Sequence, residues 1–380
     1  MFARAAGPWL LAVVVAAGLL IASGYRTRDA DSRAYVTIAA RMAVGPLEQW
    51  IVPQWWGAWG MQGLFREHPV GIFIVPALLS RLGVPTAGAS YAFNLFCQAA
   101  CLLLLVALAR RLVPQLEANL LAWALPLVPI AFVFRVRANQ EYPLLLGMLL
   151  ALYGVARAHE RSAWLLVACV GFAWALLVKG VFALLAPVYA ALWLLLLNDP
   201  GTRRQWVGWL GVVGMLAVAP LAAAGYERAY AQASGHSFLD YYLGARMALG
   251  GGAGEGGELS GVAAAKLWNT AWYAARVIWY AAPWSVALVL FGRGPQGGSA
   301  RFARFALAGT LATVLLLALR DTRADRYVFP AYFLAAAGGI LVAHARSARL
   351  RACGRTLDRW WPWGPALLWF GLVAARVALG

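Results

Sequence analysis

The sequence predicts an all-α polytopic integral membrane protein with about 11–12 transmembrane helices, on three observations. Sixty-three per cent of its 380 residues are apolar or aromatic and only 12 % are charged. Soluble domains carry about 25 % charged residues, so this chain lacks the polar surface to face water. Apolar runs near the length needed to cross a bilayer recur from end to end, and basic segments punctuate them. The composition excludes a disordered chain, and four cysteines exclude a disulfide scaffold. A formal charge of +17 on a soluble protein would suggest nucleic acid. Here the arginines are dispersed between apolar runs with no aromatic–basic motif, so nucleic acid is set aside.

The runs are 7–24, 88–109, 119–135, 141–157, 163–178, 180–197, 206–225, 272–291, 304–319, 327–343 and 361–378. The first has the apolar stretch of a signal peptide but reads as a retained first helix. A twelfth run, 69–83, is short and bounded by Pro69 and Pro85. Basic residues mark cytoplasmic loops. Arg4, Arg110/Arg111, Arg157/Arg161, Arg203/Arg204, Arg293/Arg301/Arg304 and the 344–359 run hold 15 Arg against Glu117, Glu160, Asp199 and Asp358. The opposite side holds 11 of the 15 acidic residues. The N-terminus is therefore expected inside, and 25–68, 136–141, 179, 226–271 and 320–326 outside. A full crossing by 69–83 would put Arg110/Arg111 outside, so that run is expected to be tilted, re-entrant or only partly inserted, the alternative being that the Arg110/Arg111 loop breaks the charge bias.

Two modules are expected, both in the membrane. Residues 1–200 form a catalytic module with interfacial helices in outer loop 25–68, and 201–380 form a second with outer loop 226–271. Gly250–Gly257 in that second loop lacks the context of a phosphate-binding loop.

Charged groups at a bilayer edge are costly and tend to be functional. Five clusters gather on the outer side. Directly after the first run, a helix from Asp31 would align Asp31, Tyr35, Ile38 and Met42 on one face. That face is expected to lie on the membrane with its carboxylate at a cavity mouth, whereas plain helix capping by Asp29 or Asp31 is the simpler account. Glu67 and His68 precede Pro69, which suits a first helical turn. Arg135–Glu141 separates two apolar runs, with Glu141 neutralised by Arg135 or Arg137 in the simpler account. Lys179 interrupts two apolar helices; its compact charge suits phosphate, as an interfacial lysine it would merely snorkel. Arg320, Asp321, Arg323, Asp325, Arg326 and Tyr327 bring three arginines to the face the positive-inside bias disfavours. An anionic ligand or pairing with Asp321 and Asp325 would account for them. Together these groups suit a substrate with a phosphate head and a lipid tail.

The order and context of these clusters resemble the GT-C glycosyltransferases, in the branch of protein O-mannosyltransferases and lipid A aminoarabinose transferases. The resemblance covers residues 7–200 well and 226–345 loosely. It rests on Asp31 with Tyr35 four residues on, on Glu67-His68-Pro69-Val70-Gly71, and on Glu141-Tyr142-Pro143-Leu144. It also rests on Val178-Lys179-Gly180 running to Leu184-Leu185-Ala186-Pro187, and on Arg326-Tyr327-Val328-Phe329-Pro330. Two features depart from the branch. The run Phe238–Arg246 lacks the histidine expected in the later outer loop, with His236 out of register, and no soluble domain is expected after the last run.

The resemblance implies an inverting transfer of a sugar from a polyprenyl-phosphate donor to an acceptor hydroxyl on a glycolipid, glycan or protein. It makes Asp31 the general base and Glu141 its catalytic companion. Lys179, Arg320, Arg323 and Arg326 would hold the donor phosphate. Asp29, Tyr35, Glu67, His68 and Tyr327 would contact substrate or acceptor, and Trp55, Trp56 and Trp59 would stack on sugar or acceptor or else anchor at the interface. No metal is assigned; a divalent ion has no support from the residues. The implied setting is a bacterial cytoplasmic membrane with the site facing the periplasm. A transporter or flippase of a lipid-linked anion is the alternative.

Overall fold

Long apolar stretches without water to satisfy their amides must pair those amides internally, which makes helices the default. A computed structural model describes residues 2–197, 205–246, 259–292, 297–320 and 323–379. Asp199, Arg203/Arg204, Gly250–Gly257, Arg293 and Asp321 lie outside the described residues. In chain order the α-helices are α1 (Phe2–Ala22), α2 (Ala30–Val44), α3 (Gly71–Arg81), α4 (Thr86–Ala109), α5 (Gln115–Ala124), α6 (Pro129–Val133), α7 (Glu141–Arg157), α8 (Trp164–Lys179), α9 (Leu185–Leu197) and α10 (Gln205–Ser234). There follow α11 (Phe238–Tyr241), α12 (Leu259–Tyr280), α13 (Trp284–Phe291), α14 (Gly298–Ala318), α15 (Phe329–Arg346), α16 (Ala348–Asp358) and α17 (Trp363–Ala378). Among the described residues the only β-pairing is an isolated bridge, Gln54 with Leu64.

Among the described residues six helical stretches are long and apolar enough to cross a membrane, or seven if the bent pair α12–α13, which turns by 113°, counts as one. The 34-residue stretch Trp164–Leu197 is one of the six, but it doubles back at Gly180. Trp164 packs on Tyr153 near the end of α7, whereas Lys179 reaches Glu141 at its start. Leu197 then accepts a hydrogen bond from Arg301 at the start of α14. The remaining expected runs are shorter or broken: 119–135 becomes α5, a 3-10 turn and α6, and 361–378 becomes the 16-residue α17. Run 69–83 becomes the 11-residue α3. At 1.5 Å per residue it covers roughly half of a ~30 Å hydrocarbon core.

Helices α7 and α8 approach backbone to backbone. A Cβ on Gly147 would sit 2.7 Å from the Gly171 carbonyl oxygen, and one on Gly171 would sit 2.8 Å from that of Gly147. Small residues allow this contact, as they do between membrane helices generally. Helix α15 is the most enclosed span.

The two ends of the bundle carry different chemistry. At one end Arg111 and Arg157 share Glu160, Asn119 links Arg110 to Asp358, and Ser299 donates to Glu117. At the other end the five clusters meet.

Candidate active site

Helix α2 starts where Asp29 caps it. One Asp29 oxygen accepts the Ser32 amide at 3.0 Å and the Ser32 hydroxyl at 2.5 Å, and the other pairs with Arg137 at 3.0 Å. Ser32 Oγ, fully buried, accepts the Ala138 amide at 3.0 Å. The α6–α7 loop is thereby clamped onto α2. Asp29 is thus the capping residue, and Asp31 in the first turn forms an ion pair with Arg326. The face carrying Tyr35, Ile38 and Met42 does not lie on the membrane. It is buried, with Tyr35 edge-on to Phe65, His68 and Phe73. Helix α3 covers it, because an aromatic surface of that size is better buried against protein.

Glu141 does not pair with Arg135 or Arg137. Its Oε1 lies 3.0 Å from Lys179 Nζ, with the side chains 1 % and 3 % exposed. The geometry follows from the antiparallel helices: a carboxylate at the N-terminus of α7 and an ammonium at the C-terminus of α8 each complement the local helix dipole. Glu141 Oε2 is buried without a hydrogen-bond partner. Arg135 turns inward to the carbonyls of Pro126 and Leu372.

Lys179 and Arg320 converge on the same two rings. Lys179 Nζ is 5.2 Å from the Phe182 centroid and 5.7 Å from that of Tyr327, while Arg320 Cζ is 4.9 and 4.6 Å away. The rings stand 5.0 Å apart. Arg326 precedes Tyr327 in the 3-10 turn Asp325–Val328, so Asp31, Arg326, Tyr327, Phe182, Arg320, Lys179 and Glu141 form one continuous set. Arg323 stays outside that set, exposed over the Trp272 ring at 6.0 Å. Asp325 takes Arg276 at 3.1 Å. Glu67 is half-buried beside His68.

The turn after Lys179 is fixed by Tyr242, whose hydroxyl donates to the Lys179 carbonyl at 3.1 Å and accepts the Val181 amide at 3.3 Å. Burial pushes that hydroxyl up to about 12, so it stays protonated. Gly180 has φ +59°, and a Cβ there would fall 2.4 Å from the Tyr242 oxygen; only glycine fits. Against this turn lies an apolar cavity of about 270 Å³, lined by Pro69, Gly180, Val181, Pro220, Tyr242 and Leu243 among others. Residue spacing gave no sign of Phe182, Ser32 or Tyr242, because each acts through a contact distant in sequence.

His68 lies outside the spans, in the turn before α3. Its Nδ1 donates to the Pro69 carbonyl at 2.9 Å, while Nε2 is buried without a partner. Burial, helped by the positive charge of Lys179, lowers its pKa from 6.5 to about 4. The unfolded chain therefore binds a proton that the folded chain refuses. Stability is complete above pH 6.5 and drains away as the pH falls towards 4. The expected slope is about 1.4 kcal/mol per pH unit within that window. Thermal midpoints in nanodiscs should fall across it for the wild type and fall less for His68→Asn; equal slopes would contradict the assignment.

The loop 53–65 completes this end. Trp55 N–H bonds to the Gly63 carbonyl, Gly57 N–H to Met61 and Phe65 N–H to Pro53, each at 2.9 Å. Trp56 and Trp59 adopt left-handed φ of +46° and +57°, a conformation costing about 1–3 kcal/mol in a non-glycine residue. Among the described residues no three His, Cys, Asp or Glu side chains gather as a metal site would require.

A family described as dolichyl-phosphate-mannose-protein mannosyltransferase matches residues 67–223. No curated protein matches the chain. Two crystal structures of ArnT from Cupriavidus metallidurans share its architecture. The one bound to undecaprenyl phosphate superposes with a TM-score of 0.65 at 17 % identity over 92 % of this chain, and the apo form with 0.64 at 19 % over 93 %. This chain spans 62 % of the length of each. The helical bundle and these likenesses agree on the fold: it is the polytopic bundle shared by the ArnT structures, the GT-C-like fold expected from the sequence.

Proposed function

We propose that the protein is an inverting glycosyltransferase that moves a sugar from a polyprenyl-phosphate donor to an acceptor hydroxyl at the outer face of a bacterial cytoplasmic membrane. The observation that carries this reading is the grouping of Arg320 and Lys179 around one aromatic pair, with the Asp31–Arg326 ion pair in the adjoining turn and an apolar cavity next to it. A phosphate head would meet the cations while the tail enters the cavity or the surrounding lipid. The undecaprenyl phosphate bound by one structural relative supports a donor of this class.

The reaction then needs little from the leaving group, because a phosphate departs readily. The acceptor hydroxyl is the weak partner and needs a base. Its oxygen bonds to the anomeric carbon, its proton passes to Asp31, and the carbon–oxygen bond to phosphate breaks on the opposite side. Arg326 and Arg320 hold the released charge. Asp31 is paired with Arg326. An arriving phosphate would compete for that guanidinium and free the carboxylate, so donor binding would precede activation of the acceptor. Glu141 acts by positioning Lys179, whose charge is felt at the rings, and Arg323 stands at the rim.

Mass spectrometry of envelope lipids, glycans and proteins from a deletion strain tests the reading. One sugar modification should disappear and return with the wild-type gene. Unchanged profiles, together with no binding of undecaprenyl phosphate by the purified protein, would overturn it.

A further inference from the structure

We propose that Trp59 is an acceptor platform and that the acceptor presents a pyranose ring, which makes it a glycan or glycolipid and not a polypeptide. The inference deepens the glycosyltransferase reading by naming the class of the second substrate.

Trp55 is buried and stands against Phe65 at 4.7 Å. Trp59 stacks on it at 5.6 Å with an interplanar angle of 27°, and remains 49 % exposed. A buried indole thus backs an open one. Trp59 Nε1 donates to the Ala30 carbonyl at 2.9 Å, one residue before Asp31. The plate is therefore pinned at the start of the helix that carries the proposed base.

A tryptophan serving as a membrane anchor keeps its polar tip for water and headgroups. Here that tip is spent on the protein's own backbone, and the loop keeps Trp56 and Trp59 in the costly left-handed conformation. Anchoring requires neither feature. What Trp59 offers is one flat, electron-rich face. The polarised C–H groups on the apolar side of a pyranose match such a face, leaving the sugar hydroxyls free to point at Asp31. A peptide acceptor added as a strand would instead seek unpaired main-chain groups, and the loop's amides at Trp55, Gly57 and Phe65 are already bonded within it. In the transfer itself the sugar acceptor's hydroxyl oxygen gains the bond to the anomeric carbon, its proton goes to Asp31, and the polyprenyl phosphate leaves.

Saturation-transfer NMR with maltotriose on the protein in nanodiscs tests the platform without requiring turnover. A serine/threonine peptide runs in parallel, and undecaprenyl phosphate affinity is measured on the same samples. The wild type should saturate the ring C–H protons of maltotriose. Trp59→Ala should weaken this binding about tenfold, and Trp59→Phe should retain most of it. Undecaprenyl phosphate affinity should stay unchanged in both variants, which also reports that they fold. No signal from maltotriose on the wild type, an unaltered signal in Trp59→Ala, or a signal from the peptide alone would each overturn the proposal. A wild type that binds maltotriose through Trp59 but not undecaprenyl phosphate would keep the platform and overturn the donor reading.

Discussion

Asp31→Asn yields a folded, donor-binding protein whose sugar transfer falls by about 10²–10⁴-fold, the contribution of a positioned base. The substitution keeps the shape of the side chain and removes its basicity. The ion pair it abolishes is part-exposed, at 21 % for Asp31 and 33 % for Arg326. Such pairs contribute about 0–1 kcal/mol, so the thermal midpoint should barely move. Donor affinity should hold or tighten, because Arg326 no longer has a carboxylate competing with phosphate. Radiolabelled sugar transfer and undecaprenyl phosphate binding, both in nanodiscs, check the two halves. Wild-type turnover in this variant would remove Asp31 from the chemistry.

The second large effect belongs to the buried pair. Lys179→Ala and Glu141→Gln each strand a charge from which water is excluded, and breaking such a pair costs about 3–5 kcal/mol. Both single variants should therefore melt early. The double variant Lys179→Met with Glu141→Leu replaces both charges by apolar groups of similar volume, an exchange that is often neutral or stabilising by about 1–4 kcal/mol. It should recover stability while binding undecaprenyl phosphate more weakly than the wild type. Comparing the double variant with the wild type separates support of the fold from recognition of the donor. Full donor affinity in the stable double variant would deny Lys179 any part in phosphate binding.

Much of this site is legible in the sequence because it follows from element ends. Asp31, Glu141, Lys179 and Arg326 sit where apolar runs start or stop, and the bilayer requires charges to collect there. Their pairing is less legible. Spacing favours Arg135 or Arg137 as the counter-ion of Glu141, yet Arg137 is drawn to Asp29 and Arg135 to core carbonyls. Lys179 takes their place from 38 residues away, because α7 and α8 run antiparallel. The buried face of α2 was equally hidden, since Tyr35, Ile38 and Met42 suit lipid and protein alike. The left-handed backbone at Trp56 and Trp59 leaves no trace in residue type, as tryptophan seldom adopts it.

The glycine contact between α7 and α8 bears on how the pocket responds to a ligand. Two backbones in direct touch have almost no freedom to slide, so the charges at their ends stay at a set separation whatever arrives. Asp31 and Arg326 meet only through part-exposed side chains at a helix start and a short turn, and those side chains can part. One half of the pocket is thus stationary and the other half adjustable. A bulkier side chain at Gly147 or Gly171 would disturb the half that should never move.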